Sequence, residues 1–199
     1  MSRQILTIAA AALLTLAATA AQAHVSVGDT HGFAHGFAHP ISGIDHILAM
    51  VAVGLFASHL GGRGIWSVPL SFVSMMAIGG AFGMAGMSLP LVEIGIGLSV
   101  VILGIGVAAR LRIPTIAAMA LVGLFAIFHG HAHGAEMPGS MSGLEYAVGF
   151  VLATASLHGL GIGLGLAIGG MRDTLGGRVF QAAGSAMALA GVAILAGYL

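Results

Sequence analysis

The chain has 199 residues, of which 58% are hydrophobic and 6% are charged, and its mean hydropathy is +1.08. A soluble domain carries roughly 25% charged residues, so this composition excludes a soluble globule and indicates a membrane protein. Six arginines without any lysine exclude both a basic nucleic-acid-binding surface and the lysine of a phosphate-binding Walker loop. The absence of cysteine excludes disulfides, thiolate metal ligands and thiol nucleophiles.

The N-terminus has the pattern of a secretory signal peptide. Arg3 precedes an apolar run from Ile5 to Ala20, and Ala21-Gln22-Ala23 supplies the small residues of a cleavage site. The alternative is an uncleaved first membrane helix, because about 17 apolar residues can just span a bilayer. We expect residues 1–23 to be removed, which leaves a mature domain of residues 24–199.

Apolar runs predict six membrane-spanning helices after this leader, since each helix needs about 20 such residues. The gaps between the runs contain glycine, proline or arginine, which are typical of breaks between helices. The predicted spans are residues 42–60, 67–88, 90–109, 114–132, 143–169 and 179–198. The expected fold is therefore an all-α, polytopic membrane helix bundle.

The arginines predict the orientation of this bundle. They lie in the gaps after the first, third and fifth predicted spans, at Arg63, Arg110, Arg112, Arg172 and Arg178. Arginine is enriched in cytoplasmic loops, so this face is expected to be cytoplasmic. Both ends of the mature chain are then periplasmic, in agreement with a secretory leader. The expected location is the bacterial inner membrane, crossed several times.

Many of the 33 glycines lie inside the apolar runs. Pairs such as Gly95/Gly97 and Gly104/Gly106 resemble part of a dinucleotide-binding loop, but they do not follow a strand. Small residues allow membrane helices to approach closely, and we interpret the glycines in that way.

The first polar group precedes and opens the first predicted span. It begins with a repeat, His31-Gly32-Phe33-Ala34-His35-Gly36-Phe37-Ala38-His39, whose histidines would share one helix face at a spacing of four. Pro40 is expected in the first turn of the span. Asp45 and His46 follow about one turn inside the membrane. Ionisable groups there are expensive, so they predict a functional site.

The second polar group closes the fourth predicted span, within Phe128–Glu136. His129 and His133 are four residues apart, so both imidazoles can face one metal ion. Glu136, seven residues after His129, returns to the same stripe if the helix continues. The spacing leaves open whether His131 points toward this site or toward lipid.

Further candidates come from their position in the predicted topology. Glu93 lies at the outer end of the third span, and His158 lies near the bilayer middle on the fifth. A lone membrane histidine such as His158 can instead serve a hydrogen bond between helices. His31 and His35 form either an outer arm for metal capture or a solvated loop with incidental affinity, and the free amine of His24 would join such an arm.

Imidazole and carboxylate groups together predict a site for a divalent metal ion. Ni, Co, Zn and Cu(II) accept such ligands, and their affinity falls as the histidines become protonated at low pH. A Cu(I) site is an alternative, based on methionines expected near the outer face at Met84, Met87, Met137 and Met141. Methionines are ordinary gap fillers in apolar helices, so we favour the histidine site.

The two polar groups resemble the signatures of the HupE/UreJ family. His39-Pro40-Ile41-Ser42-Gly43-Ile44-Asp45-His46, followed by Ala49-Met50, matches HPxxGxDHxxAM. Phe128-His129-Gly130-His131-Ala132-His133-Gly134-Ala135-Glu136 matches FHGxAHGxE. The resemblance covers the whole mature chain, including its size, leader and six spans.

This resemblance implies a permease for Ni²⁺ or Co²⁺ that supports hydrogenases, ureases or cobalamin enzymes, and not an enzyme. The implied ligands are His39, Asp45, His46, His129, His133 and Glu136. To these our own reasoning from placement adds Glu93, His131, His158, His24, His31 and His35. The metal ion is then the transported substrate, and no prosthetic group is expected.

Expected partners are the divalent ion and the lipid bilayer, without nucleic acid. The sequence leaves open a homo-oligomer, a cytoplasmic metallochaperone, the coupling ion and the choice between nickel and cobalt. Two other functions also stay open. An intramembrane zinc hydrolase would use a carboxylate as general base and show hydrolysis without metal accumulation. A storage or chaperone-docking protein would bind metal without transporting it.

Overall fold

The computed structural model describes residues 32–137, 143–171 and 173–199. These residues form α-helices without any strand, which confirms the predicted all-α class. The helices are α1 (Gly32–Ser42), α2 (Ile44–Leu60), α3 (Gly64–Met84), α4 (Val92–Ala108), α5 (Thr115–Ala135), α6 (Gly143–Gly169) and α7 (Asp173–Leu195). The predicted leader, His24 and His31 lie outside the described residues.

Four helices, α3, α5, α6 and most of α7, are long and apolar enough to cross a membrane. A fifth crossing is formed if α1 and α2 count as one bent span, and α4 is a shorter apolar helix. The described chain is thus compatible with a helical membrane bundle. The predicted boundary at residue 179 is wrong, because α7 begins at Asp173 and continues through its glycines.

The chain turns by 81° between α1 and α2. Gly43 adopts an extended conformation at this point and separates the two helices. Pro40 lies near the end of α1, so the prediction that it opens the first membrane helix is wrong. The part of the histidine repeat that the structure describes forms a short helix of its own, α1. This helix crosses the beginning of α6 and places His39 at the end of the bundle opposite the arginines.

Glycines pack several pairs of helices closely, among them α2 on α6 and α3 on α5. A Cβ atom at Gly54 would collide with the backbone of α6, and one at Gly161 with the backbone of α2. Gly79 and Gly130 stand in the same relation across α3 and α5. The structure therefore supports our interpretation that the glycines serve close helix packing.

The described arginines gather at one end of the bundle. Arg63 lies between α2 and α3, Arg110 and Arg112 between α4 and α5, and Arg178 in the first turns of α7. A hydrogen bond from His59 Nε2 to the carbonyl oxygen of Arg110, at 2.8 Å, joins the first two of these regions. The polar groups at His39 and at the end of α5 lie at the opposite end.

Helix α2 lies at the centre of the bundle, and its residues from Ala49 to Ala57 are all buried. It contacts α3, α4 and α6 along its length. His46, on the buried side of the beginning of α2, therefore points into protein, whereas Ile44 is exposed. This position brings His46 close to the polar end of α5.

Candidate metal centre

An outer cluster joins α1 to the end of α5. It consists of His39, His133 and Glu136, each of which offers a ligand atom within 4.8 Å of the others. His39 Nε2 donates a hydrogen bond to Glu136 Oε2 at 3.2 Å, and His133 Nδ1 lies 3.8 Å from the same oxygen. The hydrogen bond from His39 lowers the pKa of Glu136, so this carboxylate is ionised and attractive to a cation.

An inner cluster of three imidazoles lies directly behind the outer one. His46 Nδ1 is 3.1 Å from His129 Nδ1 and 2.9 Å from His133 Nε2. The rings of His46 and His129 are fully buried. For a bond length of about 2.1 Å, adjacent ligands of an octahedral ion are about 3.0 Å apart. The two nitrogen separations are compatible with neighbouring ligands on one ion, and they are equally hydrogen-bond distances between imidazoles.

Ser99 on α4 determines which nitrogen His129 presents to the cluster. The Ser99 hydroxyl donates to the carbonyl oxygen of Ile96 at 2.6 Å, and its oxygen lies 2.8 Å from His129 Nε2. Since its only proton is used by Ile96, Ser99 accepts a hydrogen bond from Nε2–H of His129. The Nδ1 atom of His129 therefore carries a lone pair, which points at His46.

The Nδ1 atom of His46 cannot form a good hydrogen bond with both His129 and His133. Its Nδ1 atom holds either one proton or one lone pair, whereas His129 and His133 approach it together. With a proton it can make one good hydrogen bond, and with a lone pair it faces the lone pair of His129. In addition, His46 Nε2 is buried with no hydrogen-bond partner among the described residues. An electron-rich cluster of this kind is suited to a cation, which would neutralise the unmatched lone pairs.

Aromatic side chains enclose the inner cluster. The ring of Phe150 lies 5.3 Å from His46 and 4.8 Å from His133, and Phe72 lies 5.9 Å from His129. A cleft between α3, α5 and α6 reaches the cluster at His133, and the rest of its lining is mostly glycines and apolar side chains. Apolar surroundings of this kind strengthen the interaction between a metal charge and its ligands.

Two carboxylates predicted as site residues lie apart from the outer cluster. Asp45 Oδ1 accepts a hydrogen bond from the backbone N–H of His46 at 2.8 Å, within the first turn of α2. This contact can position His46 without adding a ligand. Glu93 lies in the first turn of α4 and is exposed.

The remaining histidines occupy three different environments. His35 stacks on His39 with ring centres 5.9 Å apart and so extends the outer cluster. His131 points away from it, because Nε2 donates to the carbonyl oxygen of Met87 at 2.6 Å. His158 is buried deeper on α6, with its ring against Phe72.

Sequence reasoning missed Ser99, Tyr146 and Phe150. Ser99 was detectable as a hydroxyl in the middle of a predicted span, where a polar group needs a partner. Tyr146 and Phe150 were not detectable, because aromatic residues in apolar helices are usually core residues. Their role depends on the placement of α6 against α1 and α5.

Comparisons with known proteins agree with this geometry. The family described as HupE / UreJ protein matches residues 12–194. The chain belongs to the HupE / UreJ family. It is 48% identical over 187 residues to a protein of Rhizobium leguminosarum bv. viciae named Protein HupE, covering 92% of this chain and 96% of the relative. No solved structure matches the chain.

Membership of the HupE / UreJ family indicates the class of function. The HupE / UreJ family is associated with the uptake of nickel or cobalt for hydrogenase and urease, and it is a transporter-type family rather than an enzyme family. The chain is accordingly a multi-pass membrane protein with buried histidines and a role in metal transport.

Proposed function

We propose that this protein carries Ni²⁺ or Co²⁺ inward across the bacterial inner membrane, through the centre formed by α1, α2 and α5. The observation that supports this most directly is the convergence of nitrogens from His46, His129 and His133, with the proton of His129 held on the side of Ser99. Metal-binding histidines commonly donate their second ring N–H to such a partner. The ion would be a transported substrate destined for hydrogenase or urease maturation, received by a cytoplasmic metallochaperone.

The two clusters supply a stepwise mechanism. The outer cluster would capture the hydrated ion with the carboxylate of Glu136 and the imidazoles of His39 and His133. Because His133 belongs to both clusters, the ion can exchange the outer ligands for His46 and His129 without leaving protein ligands. An inward-negative potential favours inward movement by about 2.3 kcal/mol per charge per 100 mV, or about 4.6 for a divalent ion.

The helix arrangement suits alternating access. With six spans, α2 to α4 and α5 to α7 form two halves of opposite orientation, as in many secondary transporters. If each helix of one half is matched with the helix at the same position in the other, α2 corresponds to α5 and α6 corresponds to α3. The glycine-packed pair α2 and α6 then corresponds to the glycine-packed pair α5 and α3. The proposed centre lies where these two pairs meet, which is the usual position of a substrate site between repeats.

Uptake of ⁶³Ni by cells that express the chain tests this function. We expect accumulation well above that of cells with an empty vector, and competition by excess Co²⁺ but not Mn²⁺, because imidazole ligands bind Mn²⁺ more weakly. An inserted, metal-loaded protein that gives no accumulation would contradict transport. Metal-dependent hydrolysis in that case would support the zinc hydrolase, and binding alone would support storage.

Replacement of Ser99 by alanine is expected to weaken Ni²⁺ binding about 10- to 100-fold, the usual effect of losing a partner behind a metal ligand. Without Ser99, the Nε2 atom of His129 loses its acceptor, and the ring can rotate or change its protonation. Ni²⁺ titration of purified protein measures the effect. Ser156→Ala is the matched control, because this exposed hydroxyl bonds only to the Leu152 carbonyl oxygen in the described structure. Equal affinity in both variants would contradict the role of Ser99.

A further inference from the structure

One face of α6 carries a buried row of side chains at a spacing of four residues. The row consists of Tyr146, Phe150, Thr154 and His158. Four-residue spacing places side chains on one helix face. With a rise of 1.5 Å per residue, His158 lies about 12 Å further along the helix than Phe150 and about 18 Å further than Tyr146.

The first half of this row runs beside the proposed metal centre. Tyr146 lies next to the outer cluster, with its ring 6.2 Å from that of His39. Phe150 lies next to the inner cluster, 5.3 Å from His46. Successive residues of the row therefore lie progressively further from the outer end of the bundle. The second half of the row continues inward from the proposed metal centre.

The second half of the row faces α3. Thr154 Oγ1 contacts the sulfur of Met76 at 3.7 Å, and His158 packs edge-on against Phe72 at 5.2 Å. Met76 also lines the cleft that reaches His133, so this one side chain borders both the metal centre and Thr154.

No hydrogen bond among the described residues explains why the polar imidazole of His158 is buried. It is 2% exposed, and both ring nitrogens lack a hydrogen-bond partner within the described ranges. Buried polar groups are nearly always hydrogen-bonded, and ionisable side chains inside a membrane protein commonly line an ion pathway. Thr154 lies one turn before His158 on the same face of α6 and contacts the Met76 sulfur, so a hydroxyl oxygen and a soft thioether sulfur lie on the side of α6 that carries the imidazole.

The ring of Phe72 lies between His158 and the inner cluster. Its centre is 5.9 Å from His129 and 5.2 Å from His158. The apolar ring thus contacts both histidines and offers no ligand atom, so an ion that moves from His129 to His158 has to pass it.

We propose that His158, Thr154 and Met76 form a second, inner binding station for the transported Ni²⁺ or Co²⁺, separated from the inner cluster by Phe72. This proposal rests on the proposed function. His158 lies outside both polar motifs of the sequence and deepens that function by adding a site two helical turns beyond Phe150. The ion reaches it by ligand exchange, leaving Nδ1 of His129 for a ring nitrogen of His158.

His158→Phe tests the station, because phenylalanine fills the same space without ligand atoms. We expect the purified variant to bind one Ni²⁺ fewer per chain than the unmodified protein, as counted by equilibrium dialysis with ⁶³Ni. We expect uptake into cells to fall at least tenfold, while binding at the outer centre remains. His59→Phe is the matched control, since His59 Nε2 donates to the Arg110 carbonyl oxygen at the arginine-bearing end of the bundle, and it should leave the binding stoichiometry unchanged.

The possible failures are distinguishable. Normal uptake and full stoichiometry in His158→Phe would overturn the inner station and leave nickel transport intact. Absence of uptake by the unmodified protein would instead overturn the proposed function. If His158→Phe does not insert, Thr154→Val replaces it, because valine has nearly the shape of threonine. This variant should bind the second ion about tenfold more weakly, and unchanged binding of that ion would overturn the station.

Discussion

Replacement of His133 by alanine is expected to reduce ⁶³Ni uptake to the level of cells that lack the protein. Its Nε2 atom lies 2.9 Å from His46 Nδ1, and its Nδ1 atom lies 3.8 Å from Glu136 Oε2. The variant therefore removes a ligand from both the outer and the inner cluster and interrupts the transfer between them. Since loss of a mere supporting contact costs 10- to 100-fold in affinity, we expect Ni²⁺ binding to weaken by at least about 100-fold.

His131→Ala is the matched control for this experiment. His131 belongs to the same helix end and is also buried, but its Nε2 atom donates to the Met87 carbonyl oxygen. It should retain uptake within about twofold when corrected for the amount of inserted protein. Uptake by His133→Ala at the level of the unmodified protein would contradict the proposed centre. Equal loss in both variants would point to unfolding of the end of α5 instead.

Local spacing was sufficient to predict which side chains of one helix act together. The four-residue interval between His129 and His133 predicted a shared face, and both contact His46 in the structure. The same interval in the histidine repeat predicted the stacking of His35 on His39. Helix geometry fixes these relations within a few residues, so no knowledge of the tertiary fold was needed.

The chemistry of single residues was harder to predict, because it depends on packing between helices. The sequence left open whether Asp45 is a ligand or orients His46, and in the structure its Oδ1 atom accepts a hydrogen bond from the backbone N–H of His46. The spacing left the direction of His131 open, and only the position of the α3–α4 connection assigns it to Met87. Ser99 became meaningful only when α4 placed its hydroxyl beside His129.

Hydropathy predicted that the chain is a bundle of apolar helices, and four of the described helices are long enough to cross a membrane, whereas the contacts between helices were not predictable from composition. A mean hydropathy shows that a segment prefers lipid, but it does not identify its neighbour. The glycines contain part of the missing information, since each one buried against another backbone marks a close crossing. Hydropathy alone could not indicate that α2 packs on α6 and α3 on α5.

Replacement of Gly130 by alanine is expected to destabilise the bundle strongly. A Cβ at this position would collide with the Met76 carbonyl oxygen and lie 2.8 Å from the backbone nitrogen of Gly80. Backbone atoms in a packed helix cannot move aside as a flexible side chain can, so α3 and α5 would have to separate. Overpacking typically costs 1–3 kcal/mol, and we expect a loss of about 3 kcal/mol or more here. The midpoint of thermal unfolding in detergent micelles measures the effect.

Gly159→Ala provides the control, because the same change there meets open space. No heavy atom of the described structure lies within 4 Å of a Cβ built at Gly159, although this residue is also in a long apolar helix. Alanine favours helices by about 1 kcal/mol over glycine, so this variant should be as stable as the unmodified protein or slightly more stable. A similar loss of stability in both variants would mean that helix flexibility, rather than the contact between α3 and α5, explains the glycines. Destabilisation confined to Gly130→Ala would establish that this crossing holds His129 and His133 in place, since both lie within one turn of the contact.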